Sequence, residues 1–270
     1  MDLEKELELA ISLAFEAGET ALKIHDQNYE YKEKDNNAGP VTEADRIIND
    51  FLVQSIAKVF PDDLIFAEES LNQPTLKSER TWWIDPIDGT KDFIKKNGEW
   101  AIMIGLSIHG KSVLGIVYQA QSKKMFYAKS GSGAFLRHQE KTSRLQVNSP
   151  QPIQNAVVVK SRTHPDRQAD QIVEAMGITR SIIHGSVGLK LSLIATGKAD
   201  LYLNFSGKCH YWDICAPDAI LSEAGGIIQH LDHQPLLYEN RIGTKISAPF
   251  IAGCKHIVTP VLNHYKINGY

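Results

Sequence analysis

Two acidic side chains three positions apart, Asp85 and Asp88, stand in the run Asp85-Pro86-Ile87-Asp88-Gly89-Thr90, directly after the apolar residues Trp82, Trp83 and Ile84. A buried strand that stops here in a loop would set both carboxylates at its carboxyl end. Pro86 has a fixed φ and no N–H, so the loop can turn the Ile87 carbonyl and the two carboxylates toward one point. Hard oxygen donors at one point suit Mg2+. Gly89 and Thr90 would then open a helix, whose free N–H groups and dipole favour a phosphate, and Gly89 permits a close approach. Adjacent metal and anion sites are what metal-assisted phosphoryl transfer needs: the ion neutralises phosphate oxygens, stabilises the leaving group and acidifies an attacking water.

In isolation the same run reads equally well as a turn at Asp88-Gly89 with Asp85 as a cap. Two further loops, however, carry acids beside predicted elements. Glu68-Glu69 follows the apolar residues 64–67, and Trp212-Asp213 precedes the helix-like stretch 214–224. An EF-hand is excluded, because the alternating acidic positions and distal Glu of its loop are missing.

The elements that must position these acids are legible in the periodicity. Residues 3–24 place Leu7, Ala10, Ile11, Ala14, Ala17, Ala21 and Leu22 at helical spacing. Residues 36–40 are turn chemistry, and Thr42 can cap a second helix whose Ile47, Ile48, Phe51, Leu52 and Ile56 form a stripe ending before Pro61. Strands are expected at 64–67, 81–84, 101–108, 112–118 (the last two joined by a turn at Gly110) and 125–128. After that, strands at 156–159, 199–203, 226–229 and 250–252 alternate with helices near 169–176, 189–195 and from Asp213 onward, with one more at the end. The pattern divides near residue 150, into an α+β half (1–150) carrying most of the acids and an α/β half (151–270) carrying the last one, packed as one unit.

Bulk composition narrows the function classes. In 270 residues, 29 Lys and Arg face 32 Asp and Glu with the signs interleaved, which gives no support for nucleic-acid binding. No apolar run approaches membrane-spanning length and the N-terminus lacks the marks of a signal peptide, so a cytoplasmic protein without membrane insertion is expected. Three cysteines at Cys209, Cys215 and Cys254 make neither a zinc motif nor a disulfide framework.

Taken in order and spacing, Phe66-Ala67-Glu68-Glu69, the run from Asp85 to Thr90 and Trp212-Asp213 resemble the inositol monophosphatase superfamily of lithium-sensitive phosphatases. The resemblance covers nearly the whole chain; Val41-Thr42-Glu43-Ala44-Asp45 is similar to the family's early VTxAD segment, and Ala224-Gly225-Gly226 to the glycine pair after its last catalytic helix. It implies a layered αβαβα sandwich in which Glu68, Asp85, Asp88, Asp213 and the Ile87 carbonyl hold two or more Mg2+ ions. It further implies that Thr90, paired with Asp45, positions a nucleophilic water beside Glu68, with Lys34 near the site. Ala67 stands where the family commonly has Gly or Ser, and Glu69 carries no firm role. Water attack needs no covalent phosphoenzyme. The oligomeric state stays open, a homodimer included.

Within the family, three features resemble the 3'(2'),5'-bisphosphate nucleotidase branch, of CysQ type, more than the inositol phosphatases: Gly89-Thr90-Lys91-Asp92-Phe93; Ser161-Arg162-Thr163-His164; and Lys190 in Gly185-Ser186-Val187-Gly188-Leu189-Lys190. Trp212-Asp213-Ile214-Cys215-Ala216-Pro217 is similar to the WDTCAP of some nucleotidases, and 203–205 lacks the acid that inositol enzymes use for a ring hydroxyl. The resemblance implies that Asp88, Gly89, Thr90, Lys91, Ser161, His164, Ser186, Lys190 and Asp213 bind substrate, and that adenosine 3',5'-bisphosphate yields AMP and phosphate. Each residue also has an ordinary reading: Lys91 and Lys190 as solvated charges, Arg162 as the partner of a nearby acid, His164 as a turn residue before Pro165. Gly185-Ser186-Val187-Gly188 itself resembles the inositol branch, so an inositol or sugar monophosphate remains the alternative substrate. A non-catalytic phosphate-binding protein is the more distant one, and would have lost metal carboxylates.

Overall fold

The structure is a computed structural model and describes residues 2–27, 31–33, 40–70, 78–239 and 243–268. In chain order its elements are α1 (Glu4–His25), β1 (Tyr31–Glu33), β2 (Pro40–Thr42), α2 (Glu43–Val59), β3 (Leu64–Ala67), β4 (Arg80–Asp88), α3 (Thr90–Ile94), β5 (Ala101–Ile108), β6 (Lys111–Gln119), β7 (Lys124–Lys129), β8 (Gly133–His138), β9 (Lys141–Arg144), β10 (Val157–Ser161), α4 (Arg167–Ala175), β11 (Arg180–His184), α5 (Val187–Ala195), β12 (Leu201–Asn204), α6 (Tyr211–Glu223), β13 (Gly226–His230), β14 (Phe250–Cys254) and α7 (Lys255–Asn268).

Two sheets organise the chain. A seven-stranded sheet runs β3-β4-β5-β6-β7-β8-β9, and a five-stranded one runs β11-β10-β12-β14-β13. Helices α1 and α2 cover one face of the first sheet, α5 and α6 fill the space between the sheets, and α4 and α7 lie beyond the second. This gives five layers, α, β, α, β, α, as expected. One apolar core lies under α1 and α2, and a second spans the two sheets around α6. The three cysteines are buried free thiols. Among the described residues, no helix is long and apolar enough to cross a membrane.

The middle layer sits close because the first sheet has a groove for it. Gly105 of β5 and Gly115 of β6 are cross-strand partners. A Cβ on Gly115 would stand 2.0 Å from the Ala216 carbonyl oxygen, and one on Gly105 2.8 Å from the Ala216 nitrogen. Ser112 Oγ adds a hydrogen bond to the Cys215 carbonyl at 2.7 Å. Two adjacent residues without side chains thus let α6 lie against the strands, which carries Asp213, in its first turn, toward the end of β4.

The same helix buries Asp218, whose carboxylate accepts from Tyr238 Oη (2.8 Å) and Ser222 Oγ (3.1 Å). Burial, only partly offset by those bonds, pushes its pKa up to about 7. A folded-state value above the unfolded one means that the native chain holds a proton across that interval. Stability from this group therefore falls as pH rises from about 4 to about 7 and is level above, by about 4 kcal/mol in total. Asp218→Asn keeps an acceptor, adds a donor and cannot ionise. Its urea midpoint relative to wild type is expected to climb between pH 5 and pH 8, and parallel midpoints would refute the assignment.

Candidate active site

The acids come from the ends of three elements. Glu68 follows β3, and its N–H bonds the Ile84 carbonyl of β4 at 3.1 Å. β4 does not stop at Ile84, as the sequence suggested, but continues to Asp88. Asp85 pairs with Met103 and Asp88 with Ala101, so one extra residue bulges out between them, where Pro86 has no N–H to give to the ladder. A side chain spans the bulge: Asp85 Oδ1 accepts the Ile87 N–H at 3.0 Å. Gly89, with φ of 97°, then turns the chain into α3; a Cβ there would also lie 2.9 Å from the Glu99 carbonyl oxygen.

Asp88 Oδ2 accepts a short hydrogen bond from Ser186 Oγ and one of 2.7 Å from the Gly188 N–H, both at the start of α5. Asp213 Oδ2 accepts the His210 N–H at 2.7 Å and so caps α6. Thr90 Oγ1 donates within reach of Asp45 Oδ1 and the Ile87 carbonyl, at 3.2 Å each. Asp45 Oδ2 meanwhile takes the Thr42 N–H (2.7 Å) and hydroxyl (2.5 Å) in the capping box of α2. The helix cap read from Thr42 thereby also sets the Thr90 partner.

Glu68, Asp85, Ile87, Asp88, Thr90 and Asp213 line one cavity of about 950 Å³. Its electrostatics are those of crowded acids. Burial first, then the charges of Glu68 and Asp88, push the Asp213 pKa well above the carboxylate range. Burial also raises Asp88, against the opposing Ser186 hydrogen bond and Lys190 charge. Carboxylates enclosed together, with the Ile87 carbonyl beside them, are hard oxygen ligands of the kind a divalent cation takes. Among the described residues no three acid, His or Cys side chains already converge as a closed metal cage. Asp85, Asp88 and Asp213 each turn one oxygen to an N–H of the chain.

The cavity extends past Gly89 and Lys91 to Ser161 and His164 at the end of β10, and to Lys190 of α5. Lys190 is 1% exposed; Nζ donates to the Gly185 carbonyl at 2.7 Å and stands 5.3 Å from the Tyr202 ring centre. It is no solvated surface charge. Burial lowers its pKa, against the pull of Asp88, Cys209, Asp92 and Asp213. His164 is lowered by burial and then by the charges of Lys208, Lys91 and Lys190, which favours the neutral imidazole. Ser161 Oγ accepts the His164 N–H at 3.2 Å.

One expected contact stands differently. Ser186 is not on the cavity wall: its hydroxyl caps α5 and donates to Asp88, so it supports a carboxylate where contact with substrate was expected. Asp45 stands behind Thr90 and off the wall, paired with the Thr90 hydroxyl as the resemblance implied. Glu69 is absent from the lining too. Lys34 lies outside the described residues. Lys208 and Lys245 line the cavity without having been found in the sequence. Lys208 had a signal, five residues before Asp213; Lys245 is brought in by its backbone bridge with His210, which nothing local in the sequence announces.

Comparison with known proteins agrees with this fold. Residues 2–252 match the inositol monophosphatase family. The chain is 34% identical over 239 residues to a 3'(2'),5'-bisphosphate nucleotidase CysQ of Salmonella typhimurium, covering 87% of this chain and 94% of that one. It is 31% identical over 261 residues to inositol monophosphatase 2 of Rattus norvegicus, covering 91% and 88%. Among solved structures, CysQ from Bacteroides thetaiotaomicron superposes with a TM-score of 0.77 at 25% identity, covering 93% and 98%. An inositol monophosphatase of Thermotoga maritima does so with 0.80 at 26%, covering 97% and 98%. The chain belongs to the inositol monophosphatase family, and it is an enzyme of the phosphatase class.

Proposed function

We propose that this phosphatase is magnesium-dependent and removes the 3'-phosphate of adenosine 3',5'-bisphosphate, giving AMP and phosphate in the cytoplasm. One observation carries the reading: the cavity that holds the acids also holds Lys190, Lys91 and Lys208 around His164. A monophosphate needs the acids alone, whereas a phosphate retained on the product needs fixed cations apart from them. The CysQ relatives support the same substrate.

Glu68, Asp85, Asp88, Asp213 and the Ile87 carbonyl would hold the ions. When bound, these neutralise the phosphate oxygens and acidify water. The chain's own groups do the rest. Asp45 fixes the Thr90 hydroxyl, which holds the attacking water, and Glu68 takes its proton. The water oxygen bonds phosphorus as the bond from phosphorus to the ribose oxygen breaks, and the leaving oxygen takes a proton from solvent to become the 3'-hydroxyl of AMP, so no covalent enzyme intermediate forms. Substrate contact falls to Gly89, Thr90 and Asp213 at the scissile phosphate, and to Lys91, Ser161, His164 and Lys190 beyond it.

Initial rates on adenosine 3',5'-bisphosphate and inositol 1-phosphate, with magnesium and with chelator, test this directly. The expected kcat/KM ratio favours the bisphosphate by about a hundredfold, the worth of about one strong charge pair, and chelator abolishes both rates. Equal or reversed preference would return the chain to the inositol monophosphate reading, to which a relative of 31% identity also points.

A further inference from the structure

Glu99 stands two residues before β5 and does not line the cavity. Its carboxylate nevertheless gathers the C-terminal half. Oε2 accepts the Gly185 N–H at 2.8 Å and Arg162 Nε at 3.1 Å, while Oε1 accepts Arg162 Nη2 at 2.6 Å. The Glu99 carbonyl accepts the Ser186 N–H at 3.3 Å, and His184 Nδ1 lies 3.8 Å from Oε2. One residue ahead of the first sheet's second long strand therefore holds the turn 184–186 by side chain and backbone together. Arg162, within the segment expected to line the nucleotide pocket, is engaged by this carboxylate.

Two groups depend on that turn. The Gly185 carbonyl receives the Lys190 ammonium, and the Ser186 hydroxyl serves both Asp88 and the α5 cap. The turn is confined on its other side as well. A Cβ on Gly185 would lie 2.0 Å from Asp92 Oδ2, and Asn97 Nδ2 holds Asp92 Oδ1 at 2.6 Å. Of the two groups, Asp88 has a second tether in the Gly188 N–H, whereas among the described residues Lys190 Nζ has one hydrogen bond, to the Gly185 carbonyl. Loosening the turn should therefore move the cation before it moves the acid.

We propose that Glu99 is a positioning residue for substrate selectivity: by fixing the Gly185 carbonyl it fixes where the Lys190 ammonium stands relative to the acids. This rests on the bisphosphate reading above. A charge-assisted hydrogen bond such as that to Gly185 is worth about 1.5–3 kcal/mol, and a tenfold change in selectivity takes only about 1.4 of it.

Kinetics on adenosine 3',5'-bisphosphate and adenosine 3'-monophosphate, which share the scissile group, read this role. Glu99→Ala is expected to lower the ratio of the two kcat/KM values about tenfold, through a raised KM for the bisphosphate. Glu99→Gln, which keeps an oxygen for the Gly185 N–H, should recover most of the ratio. A scaffold role alone would lower kcat on both substrates and leave the ratio intact, and that result overturns the proposal. If Glu99→Ala does not fold, Glu99→Asp, which keeps the charge and shortens the reach by one methylene, must lower the ratio; a wild-type ratio in it is equally fatal. A wild-type chain indifferent to the second phosphate removes the bisphosphate reading and this inference with it, whereas a selective wild type whose variants stay selective removes Glu99 only.

Discussion

Asp85→Asn is expected to lower turnover by about a thousandfold, about 4 kcal/mol of barrier, while raising the melting temperature of the metal-free protein. The two signs have one cause. Asp85 is buried among Glu68, Asp88 and Asp213, and Asp213 is already forced well above the ordinary carboxylate range by burial and by its acidic neighbours. Removing one negative charge relieves that crowding. The asparagine also keeps an oxygen for the Ile87 N–H, and its amide can donate to Asp213, to which Asp85 is within hydrogen-bonding reach. The same loss withdraws a hard ligand from the ions the proposed chemistry needs. Sites that hold charge for a substrate commonly sacrifice stability in this way. Thermal melts in chelator and rates at saturating magnesium check both halves: near-normal turnover would remove Asp85 from the metal site, and a lower melting temperature would make its carboxylate structural.

Much of this site was legible because each acid borders an element whose pattern is strong. The strand residues 64–67, the strand around Trp82 to Ile84 and the helix from Tyr211 have apolar runs that tertiary packing does not contradict. What the pattern could not show was how an element behaves at its end. Pro86 looked like the end of a strand, yet the ladder resumes at Asp88 past a bulge, because pairing with Ala101 is set by β5 and not by β4 itself. Ile47 fits the stripe of α2 but is 42% exposed, since the covered face centres on Ile48, Leu52 and Ile56. β8 and β9 escaped notice because their residues alternate weakly and β9 is an exposed edge, closed by pairing with its neighbour. The turn expected at residues 36–40 falls largely outside the described residues, with Pro40 itself in β2. Ser186 shows a different limit. A hydroxyl beside a cavity can face ligand or support a neighbour, and only the Asp88 contact decides between them.

Lys190→Met is expected to cut kcat/KM for adenosine 3',5'-bisphosphate by about a hundredfold, the worth of about one strong charge pair, with a much smaller loss on adenosine 3'-monophosphate. The residue has two available roles, and they predict different things. A buried ammonium near Asp88 and Asp213 could serve as a standing counter-charge to the acids. In that case its loss would tighten magnesium binding and alter both substrates alike, because it acts on the metal end that they share. It could instead meet a second phosphate. Two features of its surroundings favour this. Its hydrogen bond goes to a neutral carbonyl, Gly185, and its ammonium lies over the Tyr202 ring; among the described residues no carboxylate bonds it. The other lysines acting with it on His164 are exposed and stand in the same cavity. Methionine fills a similar volume without the charge, so packing against Tyr202 is kept and the change reads electrostatics. Measuring the two kcat/KM values together with the magnesium dissociation constant separates the roles. Equal losses on both substrates, with tighter magnesium, would assign Lys190 to the acids and leave the second phosphate to Lys91 and Lys208; a selective loss with unchanged magnesium affinity places it on the substrate.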